Sequence, residues 1–365
     1  MSQDAMSQPV RRRPKVHADQ AARPLAGLQR QLTQAVAAGA VLLPPPEPQP
    51  ATGRTLGAAS RRLIEAAVTI AAEPALLPTA YQHSVLCQTC LPYRRPAAGI
   101  LTWERSNGFV HLSLTAGRAF HPSGHWVQMG LPFGPKPRQI LAYLTTQAIL
   151  QQQPLIDIER SLASFIRLMD YDNKGQTFRV VKEQIAMLAA ADFRMGLARD
   201  SIAETHKGTF VSAFNLWCEK DDKQRVLWPR TVQLGAAYFE SALDFAVPLD
   251  QRAIAALGHS AMALDVYTWA AQRLHRVGTS RPDAVSWAAL KHQFGQGFTR
   301  IRKFRETFLA ALRAVKCVYP AMRLEVGAAG LELYHSPPPI PYAVGRPRRM
   351  LARADSSRTC RRRRR

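Results

Sequence analysis

Residues 260–335 read Ser260-Ala-Met-Ala-Leu-Asp-Val-Tyr-Thr-Trp-Ala-Ala-Gln-Arg-Leu-His-Arg276, then Gly278-Thr-Ser-Arg-Pro-Asp283, Trp287-Ala-Ala-Leu-Lys-His-Gln-Phe294, and Gly297-Phe-Thr-Arg-Ile-Arg-Lys-Phe-Arg-Glu-Thr-Phe-Leu-Ala-Ala-Leu-Arg-Ala-Val-Lys316. Two short runs close the stretch, Arg323-Leu-Glu-Val326 and Gly330-Leu-Glu-Leu-Tyr-His335. Apolar residues recur every three or four positions in the 260–276, 287–294 and 297–316 segments, which predicts three helices, the last one basic. The two closing runs alternate and meet at Gly327-Ala-Ala-Gly330, which predicts a hairpin. Helix, short helix, basic helix, hairpin is the order of a winged helix-turn-helix, a module that reads DNA.

The surrounding chain has 365 residues, enough for two or three domains with sizeable cores. It carries 49 Lys+Arg against 26 Asp+Glu, a formal charge of +23. A field of that sign favours polyanions, either nucleic acid or an acidic membrane surface. Residues 346–365 hold ten Arg and one Asp, and residues 1–60 hold seven basic and three acidic residues. The tails therefore carry more than half of the excess, although the middle of the chain is also basic. The cysteines (Cys87, Cys90, Cys218, Cys317 and Cys360) are odd in number and irregularly spaced, which suits reduced thiols in a cytoplasm. There is no run of about 18 apolar residues to span a membrane. Arg11-Arg-Arg13 has no apolar run behind it, which argues against a secretory signal. The expectation is a cytoplasmic protein with no membrane partner.

Outward from residue 260, the N-terminal half carries a similar order. Residues 1 to about 24 are polar and read as disordered. Leu25 to Ala38 and Leu56 to Ala72 read as helices, separated by the polyproline linker Pro44-Pro-Pro-Glu-Pro-Gln-Pro50. Asn107-Gly108 between two alternating runs, Ile100 to Arg105 and Phe109 to Leu114, predicts a hairpin, and His125 to Met129 a further strand. A helix is expected over 138–151 and a short one, capped by Ser161, over 162–169. After the turn Asp172-Asn-Lys-Gly175 a longer helix is expected over 176–195. Short strands follow at Val211 to Trp217, Val226 to Trp228 and Thr231 to Leu234, with the charged turn Lys220-Asp-Asp-Lys223 between them. A joining helix to Leu243, an extended Ala246 to Leu249 and a helix capped by Asp250 complete the link. The fold class is thus α+β, with tandem winged helix-turn-helix domains and disordered flanks. The expected boundaries are an extension over 1–84, domains over 85–245 and 246–340, and an Arg-rich tail over 341–365.

On a helical projection of the 297–316 segment, Phe298, Ile301, Phe304, Phe308, Leu312 and Val315 form one stripe, and Thr299, Arg302, Lys303, Glu306 and Arg313 the opposite face, with Arg300 at its edge. Arg forks fit guanine edges, while Lys and Thr reach phosphates. Arg305 falls on the apolar flank, where its stem would cover the core or its head pair with an acid. In the 176–195 segment, Phe178, Val181, Ile185 and Leu188 face inward and Gln176, Arg179, Lys182 and Glu183 outward. Arg179 and Glu183 have the spacing of an ion pair worth about 0.2–0.5 kcal/mol. Lys207, Lys220, Lys223, Arg225 and Arg230 would rest on phosphates. The candidate DNA contacts are therefore Gln176, Arg179, Lys182, Lys220, Lys223, Arg225, Thr299, Arg300, Arg302, Lys303 and Arg313. A solvated face on an ordinary core helix is the plainer reading of the same charges.

Other chemistry has little support. Cys87-x-x-Cys90 has no second pair nearby, so no zinc site is expected. There is no phosphate-cradling G-x-x-x-x-G-K-[ST] run, no close histidine pair for metal-assisted nicking, and no catalytic triad. No catalytic residue, metal or cofactor is expected, and the Arg361 to Arg365 run reads as an arm for nonspecific phosphate contact.

From about Leu86 to Pro339 the chain resembles the RepA-type plasmid replication initiator family of bacteria. The likeness is carried by Cys87-Gln-Thr-Cys-Leu-Pro-Tyr-Arg94, Trp103-Glu-Arg-Ser-Asn-Gly108, Leu131-Pro-Phe-Gly-Pro-Lys-Pro-Arg138, Ser161-Leu-Ala-Ser-Phe165 and Val247-Pro-Leu-Asp250 followed by Ser260 to Leu274. It implies a protein that binds repeated DNA sequences at a plasmid origin, helps open the duplex and draws in host replication initiator and helicase proteins. It also implies tandem winged-helix domains; a second copy is a candidate partner in a homodimer. On this reading the wings and tail rest on phosphates. The alternatives are a winged-helix transcriptional repressor and, with less support, an origin-nicking enzyme.

Overall fold

A computed structural model describes residues 57–73, 78–120, 123–157, 166–167, 175–199, 202–213 and 231–341. The expected helix at 25–38, the polyproline run, the short helix at 162–169, the strand at 226–228 and the Arg-rich tail lie outside them wholly or in large part. So do Lys220, Lys223, Arg225 and Arg230. The described residues form one compact unit from Leu56 onward, of mixed helix and antiparallel sheet.

The N-terminal half is built on a four-stranded sheet. β2 (Thr102–Asn107) pairs with β3 (Val110–Thr115), β3 with β7 (Asp192–Arg199), and β7 with β8 (Ile202–Thr209), all antiparallel. The alternation in β3 is the reason: Val110, Leu112 and Leu114 are buried while His111 is exposed. The β2–β3 turn is Gly108-Phe109, with Gly108 at φ +57°. A positive φ at the first central residue alone suits a glycine-led two-residue turn. β4 (Arg118–Phe120) and β5 (Trp126–Gln128) make a separate ribbon.

Over this sheet lie α3 (Pro135–Gln151) and α4 (Gly175–Ala190). Pro135 opens α3, where its missing N–H costs nothing. α4 stops at Ala190, five residues short of the expected end. The alternating Phe193 and Met195, both buried, belong to β7 instead. A three-stranded sheet flanks this core in the order β6 (Leu155–Asp157), β10 (Thr231–Leu234), β9 (Val211–Ala213).

The linking segment forms as expected: α5 (Ala236–Phe245), β11 (Ala246–Asp250) and α6 (Gln251–Leu257), with the Asp250 carboxylate accepting from the Arg252 amide at 2.9 Å. β11 pairs along its whole length with β1 (Thr79–His83). α1 (Ala58–Ala72) packs on α6, and α2 (Ser84–Gln88) follows β1 directly.

The C-terminal half centres on α7 (Ala261–Arg273), in which Ala261 through Gln272 are all buried. Ser260 caps it, accepting from the Ala263 amide at 3.2 Å. β12 (Asp283–Ser286), α8 (Trp287–Phe294), α9 (Ile301–Val318), β13 (Leu324–Val326) and β14 (Gly330–Leu333) follow. Their sheet runs β12-β14-β13. The sequence reading had no strand at β12, since Asp283-Ala-Val-Ser286 is short and polar and gains its ladder only from β14, some 45 residues on. A side chain on Gly330 would meet the Val285 carbonyl at 2.0 Å, so the two strands approach too closely for anything larger.

The two halves share apolar interior. The core around α7 and α9 includes Ala80, Cys87, Cys90 and Ala142 from the first half. Across it runs a buried ion pair: Arg138 on α3 donates to both carboxylate oxygens of Asp265 on α7, each at 2.7 Å. Arg138 also donates to the carbonyls of Leu91, Pro92 and Gly134. Burial alone would lower the Arg138 pKa, but Asp265 outweighs it and raises it, so the charge is retained.

Candidate nucleic-acid interface

α9 has the inward stripe its sequence predicts over most of its length. Phe304, Phe308, Leu312 and Val315 are buried, and Phe308 packs edge-on against Trp287 at 6.2 Å. Arg305 lays its guanidinium over the Trp287 ring, 4.5 Å from its centre, and so covers the core as expected of a flank residue. The helix begins later than expected, however. Gly297 adopts φ +84° and the Phe298 amide donates to the Gly295 carbonyl, so residues 297–300 form a turn. Ile301, placed on the buried stripe by the projection, is 46% exposed, and Phe298 packs on Phe304 from the turn rather than from the helix.

That start changes where the basic residues stand. Thr299 and Arg300 precede the helix, Arg302 and Lys303 occupy its first turn, and Arg313 lies about three turns on; all are exposed. Arg300 sits at the N-cap position without a capping side chain, and the first turn carries no acid. The side chains of Arg300, Arg302 and Arg313 make no hydrogen bond or ion pair among the described residues. Lys303 reaches Glu306 at 3.1 Å, an exposed pair worth little.

On α4, Gln176 and Arg179 are exposed and bond to each other, the Arg179 guanidinium donating to the Gln176 carbonyl at 2.8 Å. Lys182 is half-buried. The spacing of Arg179 and Glu183 does not become a pair; Glu183 instead accepts from Arg95, which also lies over the Phe133 ring. Lys207 is exposed on β8.

Thr299, Arg300 and Lys303 line a groove of about 900 Å³, whose other wall is formed by Arg94, Thr102 and Glu104. Arg302, Arg313 and the α4 residues lie outside it. Sequence reasoning missed Arg94, because its approach to α9 depends on long-range packing.

The C-terminal hairpin departs from the expectation of a basic wing. Glu325 on β13 stands opposite Glu332 on β14, and the Tyr334 hydroxyl donates to Glu332 at 3.2 Å. Its tip, Gly327-Ala-Ala-Gly330, is uncharged. This hairpin offers acid, not base, to a phosphate.

The buried reactive-type side chains are satisfied internally. Cys87 and Cys90 are both buried; burial and the nearby Asp265 push their thiols up, away from the reactive thiolate. Burial and the neighbouring His206 lower His83 to about 3, keeping it neutral. Its Nδ1 accepts from the Val85 amide, leaving Nε2–H to donate to the Ser241 hydroxyl at 2.9 Å. Among the described residues no three His, Cys, Asp or Glu side chains converge as metal ligands, and no helix is long and apolar enough to cross a membrane.

The fold and surface thus define an α+β protein that turns two partly basic helices outward from a shared interior. Residues 131–289 match the family described as "Plasmid encoded RepA protein". That is the family its sequence resembles. Two solved structures are similar at low identity. One is "Crystal structure of SeMet derivatives of domain2 and domain 3 of RctB", with 10% identity, a TM-score of 0.42, and coverage of 63% of this chain and 83% of that one. The other is "Crystal structure of the RctB domains 2-3, RctB-155-483", with 11% identity, a TM-score of 0.41, and coverage of 63% and 82%. No curated protein matches the chain.

Proposed function

We propose that the chain is a non-enzymatic initiator of plasmid replication. It binds repeated DNA sequences at the plasmid origin through two winged helix-turn-helix modules, promotes duplex opening and recruits host replication proteins. The family match over 131–289 supports the plasmid role. The observation that carries the modular reading is a recurrence of topology. In the C-terminal half, a helix (α7) leads to a strand (β12), two helices (α8, α9) and a hairpin, with sheet order β12-β14-β13. In the N-terminal half, α3 leads to β6, then α4, then β9 and β10, with sheet order β6-β10-β9. First strand beside third, third beside second, is the same arrangement twice, with the β7–β8 hairpin inserted between α4 and β9.

On this reading α4 and α9 each enter a major groove. Gln176, Arg179, Lys182, Thr299, Arg300, Arg302, Lys303 and Arg313 face the DNA, and Lys220, Lys223 and Arg225 are expected to contact phosphates. Arg302, exposed and unpaired in the first turn, is the strongest candidate for reading a base. Binding should be measured on duplex DNA carrying the origin's direct repeats and on a scrambled duplex at physiological salt. Arg302→Ala is expected to cost about 1–3 kcal/mol on the repeats and relax preference at one base position. Removing residues 346–365 is expected to weaken both duplexes alike. Equal affinity of the intact protein for repeats and scrambled DNA would reject the proposal.

A further inference from the structure

We propose that the groove between β2 and the turn leading into α9 seats the phosphate backbone of the DNA strand bordering the major groove that α9 enters. Arg94 is then a DNA contact supplied by the other half of the chain. This inference rests on the reading of α9 as a DNA-facing helix and extends it to a wall that the helix does not contain.

Three observations converge. First, the groove is large, about 900 Å³, and cations face it from two chain segments some 200 residues apart: Arg94 on one wall, Arg300 and Lys303 on the other. Glu104 is the only acid among the described residues that line it, so its field attracts an anion. Hydroxyls of Thr102 and Thr299 add neutral donors of the kind that hold phosphate oxygens.

Second, Arg94 makes no hydrogen bond or ion pair among the described residues, although both of its neighbours have side-chain partners. Tyr93 lies beneath the Arg138 guanidinium, 5.1 Å from its ring centre, and Arg95 pairs with Glu183 on α4.

Third, the backbone beneath Arg94 is held in place. Arg138 donates to the Leu91 carbonyl at 2.7 Å, and the Gly134 amide to the Pro92 carbonyl at 2.9 Å. With its backbone already fixed, Arg94 has only side-chain freedom left to lose on binding. The same short segment also reaches α4 through Arg95.

The test uses the full chain, a random-sequence duplex and an unpaired strand of the same length, since phosphate contacts need no particular sequence. Affinity is measured as a function of salt for the intact protein, Arg94→Ala and Arg94→Lys. Because Arg94 is exposed, thermal unfolding of all three should coincide, which confirms that they are folded. The expected result is that Arg94→Ala weakens duplex binding and reduces the slope of log K against log salt by about 0.9, the loss of one neutralised phosphate, while Arg94→Lys retains the slope. An unchanged duplex slope in Arg94→Ala would overturn the assignment, as would a loss confined to the unpaired strand. If the intact protein shows no salt-dependent duplex binding, the DNA-binding reading itself fails; if it binds and Arg94 is inert, only the groove is wrong.

Discussion

Arg138 and Asp265 show how much one pair can decide. Both side chains are over 90% buried, and they face each other as an ion pair. Arg138 adds three carbonyl contacts, so its fork ties α3, the 91–92 segment and α7 at one point. Removing one partner leaves an uncompensated buried charge, which costs about 3–5 kcal/mol. Asp265→Ala is therefore expected to lose that much in denaturant unfolding. An Arg138→Met, Asp265→Leu double variant should recover part of the loss, short of full recovery because the Leu91, Pro92 and Gly134 carbonyls lose the guanidinium donor. If Asp265→Ala unfolds at the same denaturant concentration as the intact protein, the pair is not the tie it appears from its geometry.

At the scale of the element, α9 begins in a way that local stability disfavours. Ser, Thr, Asp or Asn normally caps a helix, and acids in the first turn complement its dipole. This helix has Arg300 at the cap and Arg302 and Lys303 behind it. Arg300→Ser is expected to raise stability by about 1 kcal/mol in thermal or denaturant melts, by supplying the missing acceptor. The same variant is expected to bind DNA more weakly. A variant that gains stability with unchanged DNA affinity would mean that the uncapped start has no part in binding. The sequence shows this helix well in its middle, where Phe304, Phe308, Leu312 and Val315 keep a regular stripe. Its start is hidden because nothing local marks Gly297 as left-handed, and a projection carried through the turn misplaces Ile301. Likewise Ala189-Ala-Ala191 prolongs the apparent α4 pattern until the alternation of Phe193 and Met195 takes over. Arg94 was invisible for a different reason: its groove is made by chain segments that meet only in three dimensions.

For the whole molecule, the shared interior matters most. Residues from both halves fill the core around α7 and α9, and the Arg138–Asp265 pair crosses it. On the proposed reading, two DNA-reading modules joined this way cannot swivel as tethered domains do. The spacing between two half-sites should therefore be fixed. Inserting half a helical turn, about 5 base pairs, between half-sites is expected to reduce affinity to that for one half-site. A full-turn insertion should not restore it, because the protein cannot stretch. Recovery at one full turn would show that the modules move apart and that the shared core opens on DNA.

The pairing of β1 with β11 has a further consequence, for the order in which the chain is made. Thr79–His83 finds its partner only at Ala246–Asp250. During synthesis the first of these strands must wait through more than 160 residues before its ladder can form. Such distant closures are slow and leave an open edge in the meantime. Anything that stops translation within that interval would release a nascent chain with an unpaired strand, prone to sticking to its neighbours. The two halves are thus bound together in time as well as in space: neither gains its finished form until residue 250 has left the ribosome.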